Sequence, residues 1–161
     1  MLNEGDKAPE FSATADDGST VSLNDYKGKN LILYFYPKAN TPGCVHEANA
    51  FRNDMKKYEA LNTKIVGVSG DTIEAQTNFK TKHSLNFPLL ADTEFEVISA
   101  YDARRMKSFL GKTFMGIVRM TFWIGPDGTI RKIWNNVTPK GHGAEVMAAL
   151  HEGLKPAAAE R

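Results

Sequence analysis

The chain has 161 residues, and its 20 lysines and arginines nearly balance its 19 aspartates and glutamates, which gives a formal net charge of +1. This length predicts one domain over residues 1–161, and the near-neutral charge gives no electrostatic reason to expect a nucleic acid or a membrane as partner. The chain has a single cysteine, which excludes an intrachain disulfide, a cysteine-rich zinc site and a Cys-x-x-Cys redox pair. Any thiol chemistry in this protein therefore depends on one sulfur.

Two features of the sequence predict a soluble, cytoplasmic protein. The first residues, Met1–Asp6, are polar and acidic and lack the pattern of a secretory signal. The longest apolar run, Leu31–Tyr36, is far shorter than the roughly 20 residues that span a bilayer. The last residues, 155–161, are predicted to form a frayed tail.

The predicted elements alternate between strands and helices along most of the chain. Hairpins are indicated by turn signals at residues 16–18 and 125–128, and helices by apolar residues that recur every three or four positions. In chain order we predict strands at 10–14, 20–23 and 31–36, a helix with an apolar stripe from Cys44 to Tyr58, a strand at 65–68, a helix opened by a capping box of Asp71 and Glu74 and ending at His83, a strand near 87–90, a helix from about Glu94 to Tyr101, strands at 120–124 and 129–134, and a last helix ending near Leu154.

This order of elements predicts an α/β fold with a mixed central sheet flanked by helices. A βαβ half followed by a ββα half resembles the arrangement of thioredoxin. We therefore predict a thioredoxin-like fold in which the first hairpin is an N-terminal β-hairpin extension.

The most informative segment, Pro37–Cys44, joins the most buried predicted strand to a helix. Functional sites of open α/β sheets favour the carboxyl ends of strands. Thr41 suits the N-cap position and Pro42 the first helical position, so Cys44 falls in the first turn of the helix. There the free backbone N–H groups and the positive end of the helix dipole stabilise a thiolate over a thiol.

Two interpretations of Cys44 stay open on these residues alone. Cysteine is among the most buried residue types, and Cys44 lies on the apolar stripe of its predicted helix, as a structural cysteine would. Its place in the first helical turn, one turn from the Thr41 hydroxyl, favours a reactive thiol.

A resemblance to a known family bears on this choice. The pattern Pro37-x-x-x-Thr41-x-x-Cys44 resembles the active-site signature of peroxiredoxins. The longer string from Phe35 to Glu47 resembles the Q-type subfamily, also called bacterioferritin comigratory protein. Residues 5–11, 87–92 and 111–122 are similar to further segments of that subfamily.

The resemblance implies a thiol-dependent peroxidase that needs no cofactor and no metal. Cys44 would be the peroxidatic nucleophile, which attacks hydrogen peroxide or an organic hydroperoxide and becomes a sulfenic acid. Thr41 and Arg119 would bind the peroxide, together with the backbone N–H groups of Gly43 and Cys44, and Pro37 would shield the sulfur from water. For Glu47 the expected role is a charge on the helix face or a salt bridge that supports the site, rather than direct catalysis.

The sequence departs from the subfamily in its missing resolving cysteine. Many members carry that cysteine where this chain has Asn49, and others near residues 79–80, where it also has none. The resemblance then implies a one-cysteine form whose sulfenic acid is reduced by an external thiol: thioredoxin, glutathione with glutaredoxin, or another low-molecular-weight thiol. We expect a monomer, although dimers occur in the wider family.

Alternative functions remain at this stage. A redox sensor or a chaperone-like protein on the same fold would oxidise at Cys44 without turnover. A cysteine hydrolase using His46 is disfavoured, because residues two apart on a helix point to different faces.

The remaining side chains of interest receive structural interpretations. The four histidines are expected at the surface or at helix ends, Trp123 and Trp134 in packing, and Phe114 and Met115 at the peroxide entrance or a partner surface. A solvated basic loop is predicted for Arg104, Arg105, Lys107 and Lys112.

Overall fold

A computed structural model describes residues 1–154 of the chain, and the predicted tail at 155–161 lies outside the described residues. Within residues 1–154, no helix combines the length and the apolar character needed to cross a membrane. The elements are β1 (Ser12–Thr14), β2 (Thr20–Ser22), a 3-10 helix (Leu23–Tyr26), β3 (Asn30–Phe35), α1 (Pro42–Asn53), α2 (Met55–Ala60), β4 (Thr63–Ser69), α3 (Ile73–His83), β5 (Leu89–Ala91), α4 (Glu96–Ala100), β6 (Arg104–Phe109), β7 (Lys112–Ile117), β8 (Met120–Ile124), β9 (Ile130–Trp134) and α5 (His142–Leu154).

The central sheet has five strands in the order β5-β4-β3-β8-β9. β3 runs parallel to β4 and antiparallel to β8, so the sheet is mixed, as predicted. Every residue of β3 is buried, which fits the continuous apolar run of this strand. The predicted first hairpin forms a separate two-stranded sheet from β1 and β2.

The side chains of β3 alternate between two apolar clusters, one on each face of the sheet. Leu31, Leu33 and Phe35 join one cluster, and Ile32 and Tyr34 join the other. The second cluster also receives the apolar stripes of α1 and α5, including Cys44. The packing of α1 on the central sheet therefore fixes the position of Cys44.

The predicted helix from Cys44 to Tyr58 is two helices in the structure. α1 ends at Asn53 and α2 begins at Met55, with Asp54 between them at φ −103° and ψ 15°. Phe51 and Tyr58 are nevertheless both buried in the same cluster. The periodicity identified the buried face correctly but did not reveal the break.

The predicted capping box at Asp71 is wrong. α3 is capped by Thr72, whose hydroxyl accepts a hydrogen bond from the backbone N–H of Ala75 at 3.2 Å. A threonine supplies the same acceptor as an aspartate at this position. The carboxylate of Asp71 is thereby free for a different contact, which lies in the candidate site.

The predicted basic loop is also wrong, because its residues form a hairpin. β6 and β7 pair antiparallel over six residue pairs, from Arg104 opposite Ile117 to Phe109 opposite Lys112. This two-stranded sheet is separate from the central sheet. Its strands mix charged and apolar residues on both faces, so the period-2 pattern that identifies a half-buried strand is missing.

Candidate active site

Cys44 lies where the sequence places it, in the first turn of α1 just beyond the carboxyl end of β3. It is the third residue of the helix, after Pro42 and Gly43, and only 1% of its surface is exposed. Thr41 occupies the N-cap position with an extended backbone. The N–H groups of Gly43 and Cys44 belong to the helical turn that has no intrahelical acceptors.

The hydroxyl of Thr41 does not cap the helix. It donates a hydrogen bond to the backbone oxygen of Lys38 at 2.8 Å and makes no side-chain cap bond. Because its proton is engaged there, the lone pairs of the oxygen remain available as acceptors. A peroxide O–H group is a donor of the kind that such an oxygen accepts.

The loop before Thr41 is held by a chain of polar side chains from β4, from α3 and from Asp71 in the connection between these two elements. The Asp71 carboxylate accepts the N–H of Ala39 at 2.8 Å and the hydroxyl of Ser69 at 2.6 Å. Gln76 donates to Ser69 at 2.9 Å and accepts from Tyr36 at 2.6 Å. This network ties the beginning of the loop to α3 and its middle to Asp71 just after the end of β4, and sequence reasoning missed it.

Arg119 lies in the short connection between β7 and β8, and its side chain reaches Cys44. Its Nη2 lies 3.5 Å from the Sγ of Cys44, and its Nη1 donates to the Oε1 of Glu47 at 2.8 Å. The backbone oxygen of Arg119 accepts the N–H of Val137 at 3.0 Å. The structure therefore brings Cys44, Arg119 and Glu47 into one line of contacts. Of the two roles expected for Glu47, it shows the salt bridge and not an exposed charge on the helix face.

Glu47 is the most unusual titratable group of this line of contacts. Its side chain is fully buried, and its Oε2 has no hydrogen-bond partner. Burial raises the pKa of Glu47 to about 7, and the charge of Arg119 only partly opposes that effect. The carboxyl is therefore divided between its neutral and charged forms near neutral pH.

Arg119 stays a cation in this partly buried position. Burial by itself lowers the pKa of Arg119, but the charges of Cys44 and Glu47 raise it by more, so the pKa lies above its usual value. A guanidinium also offers several donors in a fixed plane, so it can serve the sulfur and the carboxylate together.

Gly43 has a steric role that the sequence did not reveal. A Cβ atom at this position would lie 3.2 Å from the Nη2 of Arg119 and 3.3 Å from the Cγ of Pro139. The absence of a side chain lets the guanidinium approach the first turn of α1 closely. Pro139, from the segment between β9 and α5, closes the other side of this gap and was not predicted as part of the site.

Pro37 is exposed and lines an open groove of about 340 Å³. Phe114 and Met115, predicted at the entrance, line the same groove with Lys38. Cys44 is not among the residues that line it. The predicted shielding of the sulfur by Pro37 stays a prediction. Cys44 is buried because it belongs to the second apolar cluster, between α1 and the central sheet.

The histidines take no visible part in the line of contacts around Cys44. His46 is exposed on α1. His142 lies at a helix end, as predicted, but it is fully buried, with Nε2 2.8 Å from Thr121 Oγ1 and Nδ1 3.0 Å from Glu145 Oε1. Burial lowers the pKa of His142, which favours the neutral ring. Within residues 1–154, no group of three or more His, Cys, Asp or Glu side chains is arranged to hold a metal ion.

Replacing Gly43 tests the close approach of Arg119. We expect Gly43→Ala to lower the second-order rate constant for oxidation of Cys44 by hydrogen peroxide about tenfold or more, because the new Cβ displaces a charged donor from the reacting sulfur. Stopped-flow fluorescence measures this rate. His46→Ala, an exposed position in the same helix, is the matched control and should react like the native protein; equal rates for all three proteins would contradict the role of Gly43.

The burial of Glu47 predicts a pH-dependent stability. The pKa of Glu47 rises from 4.5 in the unfolded chain to about 7 in the folded one, so the folded state binds this proton more tightly. The free energy of unfolding is therefore highest below pH 4.5 and falls as the pH rises to 7. The loss amounts to roughly 3 kcal/mol. We expect urea unfolding to show that, between pH 4.5 and pH 8, the free energy of unfolding of the native protein falls by that amount relative to Glu47→Gln.

An exposed carboxyl provides the control for this measurement. Glu74 lies on the surface of α3, and Glu74→Gln should differ from the native protein by the same small amount at both pH values. A stability difference between native protein and Glu47→Gln that does not change with pH would contradict the assignment.

Comparison with known proteins places this site in a family. The sequence profile of the AhpC/TSA family matches residues 4–133. Peroxiredoxin Bcp of Bacillus subtilis is 45% identical over 148 residues, which cover 92% of this chain and 94% of the relative. Peroxiredoxin Bcp of Escherichia coli is 38% identical over 151 residues, which cover 94% and 97% of the two chains.

Solved structures agree with these relatives. A mutant of Xylella fastidiosa PrxQ superposes with a TM-score of 0.92 at 31% identity, covering 96% of this chain and 99% of that one. The bacterioferritin comigratory protein of Xanthomonas campestris superposes with a TM-score of 0.86 at 33% identity, covering 90% and 92%. The predicted thioredoxin-like fold is confirmed, and the chain belongs to the AhpC/TSA family of peroxiredoxins, within its Bcp/PrxQ branch.

Proposed function

We propose that the protein is a thiol-dependent peroxidase of the one-cysteine type, in which Cys44 reduces hydrogen peroxide and organic hydroperoxides. The observation that supports this most directly is the contact of 3.5 Å between Nη2 of Arg119 and the sulfur of Cys44. A fixed cation beside a sulfur in the first turn of a helix stabilises the thiolate, which is the reactive form. Membership of the peroxiredoxin family supports the same reaction.

The proposed chemical step is a displacement on the peroxide. The thiolate of Cys44 attacks the terminal oxygen, so that an S–O bond forms while the O–O bond breaks. Sulfur is oxidised to the sulfenic acid, and the peroxide is reduced to an alkoxide or hydroxide, which takes up a proton and leaves as alcohol or water. Negative charge moves from sulfur to the leaving oxygen during this step.

The surrounding groups are arranged for that movement of charge. Arg119 holds the sulfur with one nitrogen and presents a planar set of donors to the oxygens. The N–H groups of Gly43 and Cys44 add donors at the positive end of α1. The hydroxyl oxygen of Thr41 accepts a hydrogen bond from the O–H group of the peroxide, and Pro37 limits the access of water to the reacting atoms.

The catalytic cycle requires a second thiol from another molecule. The sequence contains no second cysteine, so the sulfenic acid is reduced by thioredoxin or by glutathione with glutaredoxin. Since Cys44 is 1% exposed, the first turn of α1 has to move before a protein thiol can reach the sulfur. A monomeric, single-domain protein in the cytoplasm completes the proposal.

Oxidation by one equivalent of peroxide tests the assignment of Cys44. Native protein should gain the mass of one oxygen atom, lose it on addition of glutathione with glutaredoxin or of reduced thioredoxin, and consume peroxide continuously with one of these reductants. Cys44→Ser should show neither the mass gain nor the consumption of peroxide, as measured by intact-protein mass spectrometry and peroxide assays. Peroxidase turnover in Cys44→Ser would refute the proposal, and oxidation without turnover would indicate a redox sensor instead.

Replacing Arg119 tests the electrostatic part of the mechanism. Arg119→Ala should lower the second-order rate constant with hydrogen peroxide about 10²- to 10³-fold, because it removes a charged donor from the reacting centre. Arg131→Ala removes a partly exposed arginine on β9 and should react like the native protein. An unchanged rate in Arg119→Ala, measured by stopped flow at pH 7, would exclude the proposed role.

A further inference from the structure

The hairpin of β6 and β7, which we call the ribbon (residues 104–117), exposes apolar side chains to an unusual degree. Seven large apolar side chains are exposed within residues 1–154, and five of them lie on the ribbon. These five are Met106, Phe109, Leu110, Phe114 and Met115. Exposed apolar residues scattered singly need no explanation, but a concentrated set marks an interaction site.

The ribbon also concentrates positive charge. It carries four cations, and no acidic residue occurs between Asp102 and Asp127. With a net charge of +1 for the whole chain, the ribbon contributes +4 and the remainder −3. The near-neutral net charge of the chain gave no reason to expect a membrane partner. It is the sum of two parts of opposite charge. The four cations are Arg104, Arg105, Lys107 and Lys112.

The turn at the tip of the ribbon places an exposed leucine in a strained backbone conformation. Leu110 and Gly111 form the two-residue turn between the paired residues Phe109 and Lys112, with φ of 51° and 78°. Turns with two positive φ angles favour Asn-Gly, and a bulky side chain is disfavoured at the first position. Leu110 is 86% exposed, so packing within the protein does not offset this strain. Neither folding nor solubility favours leucine here, which points to a contact outside the chain.

The apolar residues lie on both faces of the ribbon. Met106 pairs with Met115 across the strands, so these two share one face. Phe109 and Phe114, at positions of the other parity, lie on the opposite face. A protein that packs on one face leaves the other face in water, whereas the interfacial region of a bilayer surrounds an inserted tip from all sides.

We propose that the ribbon is a membrane-docking element whose tip, Phe109–Leu110, inserts into the surface of an anionic bilayer. Lys112, beside the tip, contacts lipid phosphates. The other cations of the ribbon, which have partners within the protein, add longer-range attraction to the anionic surface. Apolar insertion and attraction to anionic lipids together give reversible binding to a membrane surface. A symmetric dimer that pairs two ribbons fits less well, because two ribbons of charge +4 repel each other. The proposal does not rest on the peroxidase reaction, since it concerns binding alone.

Vesicle binding tests the proposal directly. The full chain should co-sediment with equimolar phosphatidylglycerol–phosphatidylcholine vesicles about tenfold more strongly than with pure phosphatidylcholine vesicles. Raising NaCl from about 0.1 to about 0.5 M should weaken the binding several-fold, because salt screens the headgroup attraction. Absence of binding to the anionic vesicles, or equal binding to both kinds, would overturn the proposal.

A substitution at the tip separates insertion from folding. Leu110→Asn removes the apolar side chain while supplying a residue that suits the positive φ, so we expect binding to fall about tenfold without any loss in the free energy of unfolding. Ile73→Asn, at the exposed apolar position of α3, is the matched control and should bind like the native protein. Unchanged vesicle binding of Leu110→Asn would overturn the proposal. So would a native protein that does not bind vesicles but forms, without lipid, a dimer that Leu110→Asn abolishes.

Discussion

The guanidinium of Arg119, held between the sulfur of Cys44 and the carboxyl of Glu47, is the interaction on which the site depends. One nitrogen lies 3.5 Å from the sulfur and another lies 2.8 Å from the carboxylate oxygen. Two groups that ionise to anions thus share one cation that does not lose its proton. When Glu47 is neutral, the charge of Arg119 is directed at the sulfur alone; when Glu47 is ionised, the carboxylate offsets part of that charge. The protonation of Glu47 therefore changes the electrostatic field at the sulfur of Cys44.

The sheet explains how residues 75 positions apart come to share this contact. β3 and β8 are antiparallel neighbours, and Phe35, the last residue of β3, lies opposite Met120, the first residue of β8. The chain leaving β3 towards Cys44 and the chain entering β8 from Arg119 consequently meet at one edge of the sheet. Gly43 leaves room for the guanidinium, and the N–H of Val137 holds the backbone of Arg119.

Much of this arrangement is readable from the sequence, and the exceptions share a physical cause. β3 and the first turn of α1 are predictable because burial and helix capping leave local patterns around residues 30–44. The network around Asp71 is not, because hydrogen bonds between segments distant in sequence, from Ala39 to Asp71 and from Tyr36 to Gln76, leave no periodic pattern. The ribbon was missed for a related reason: both of its faces meet solvent, so its strands never alternate between apolar and polar residues. Gly43 was identified for its N–H group, whereas its steric role depends on Arg119, which only the folded sheet brings near.

The burial of Glu47 also shows that the site works against the stability of the fold. A carboxyl with an unpartnered oxygen in a fully buried position opposes folding most strongly when it is ionised. An apolar residue or a glutamine at this position would avoid that penalty, but it would leave Arg119 without the carboxylate that orients its plane towards Cys44. This energetic cost therefore falls on the residue that holds Arg119 beside Cys44, and the surrounding apolar cluster of β3, α1 and α5 supplies stability that offsets it.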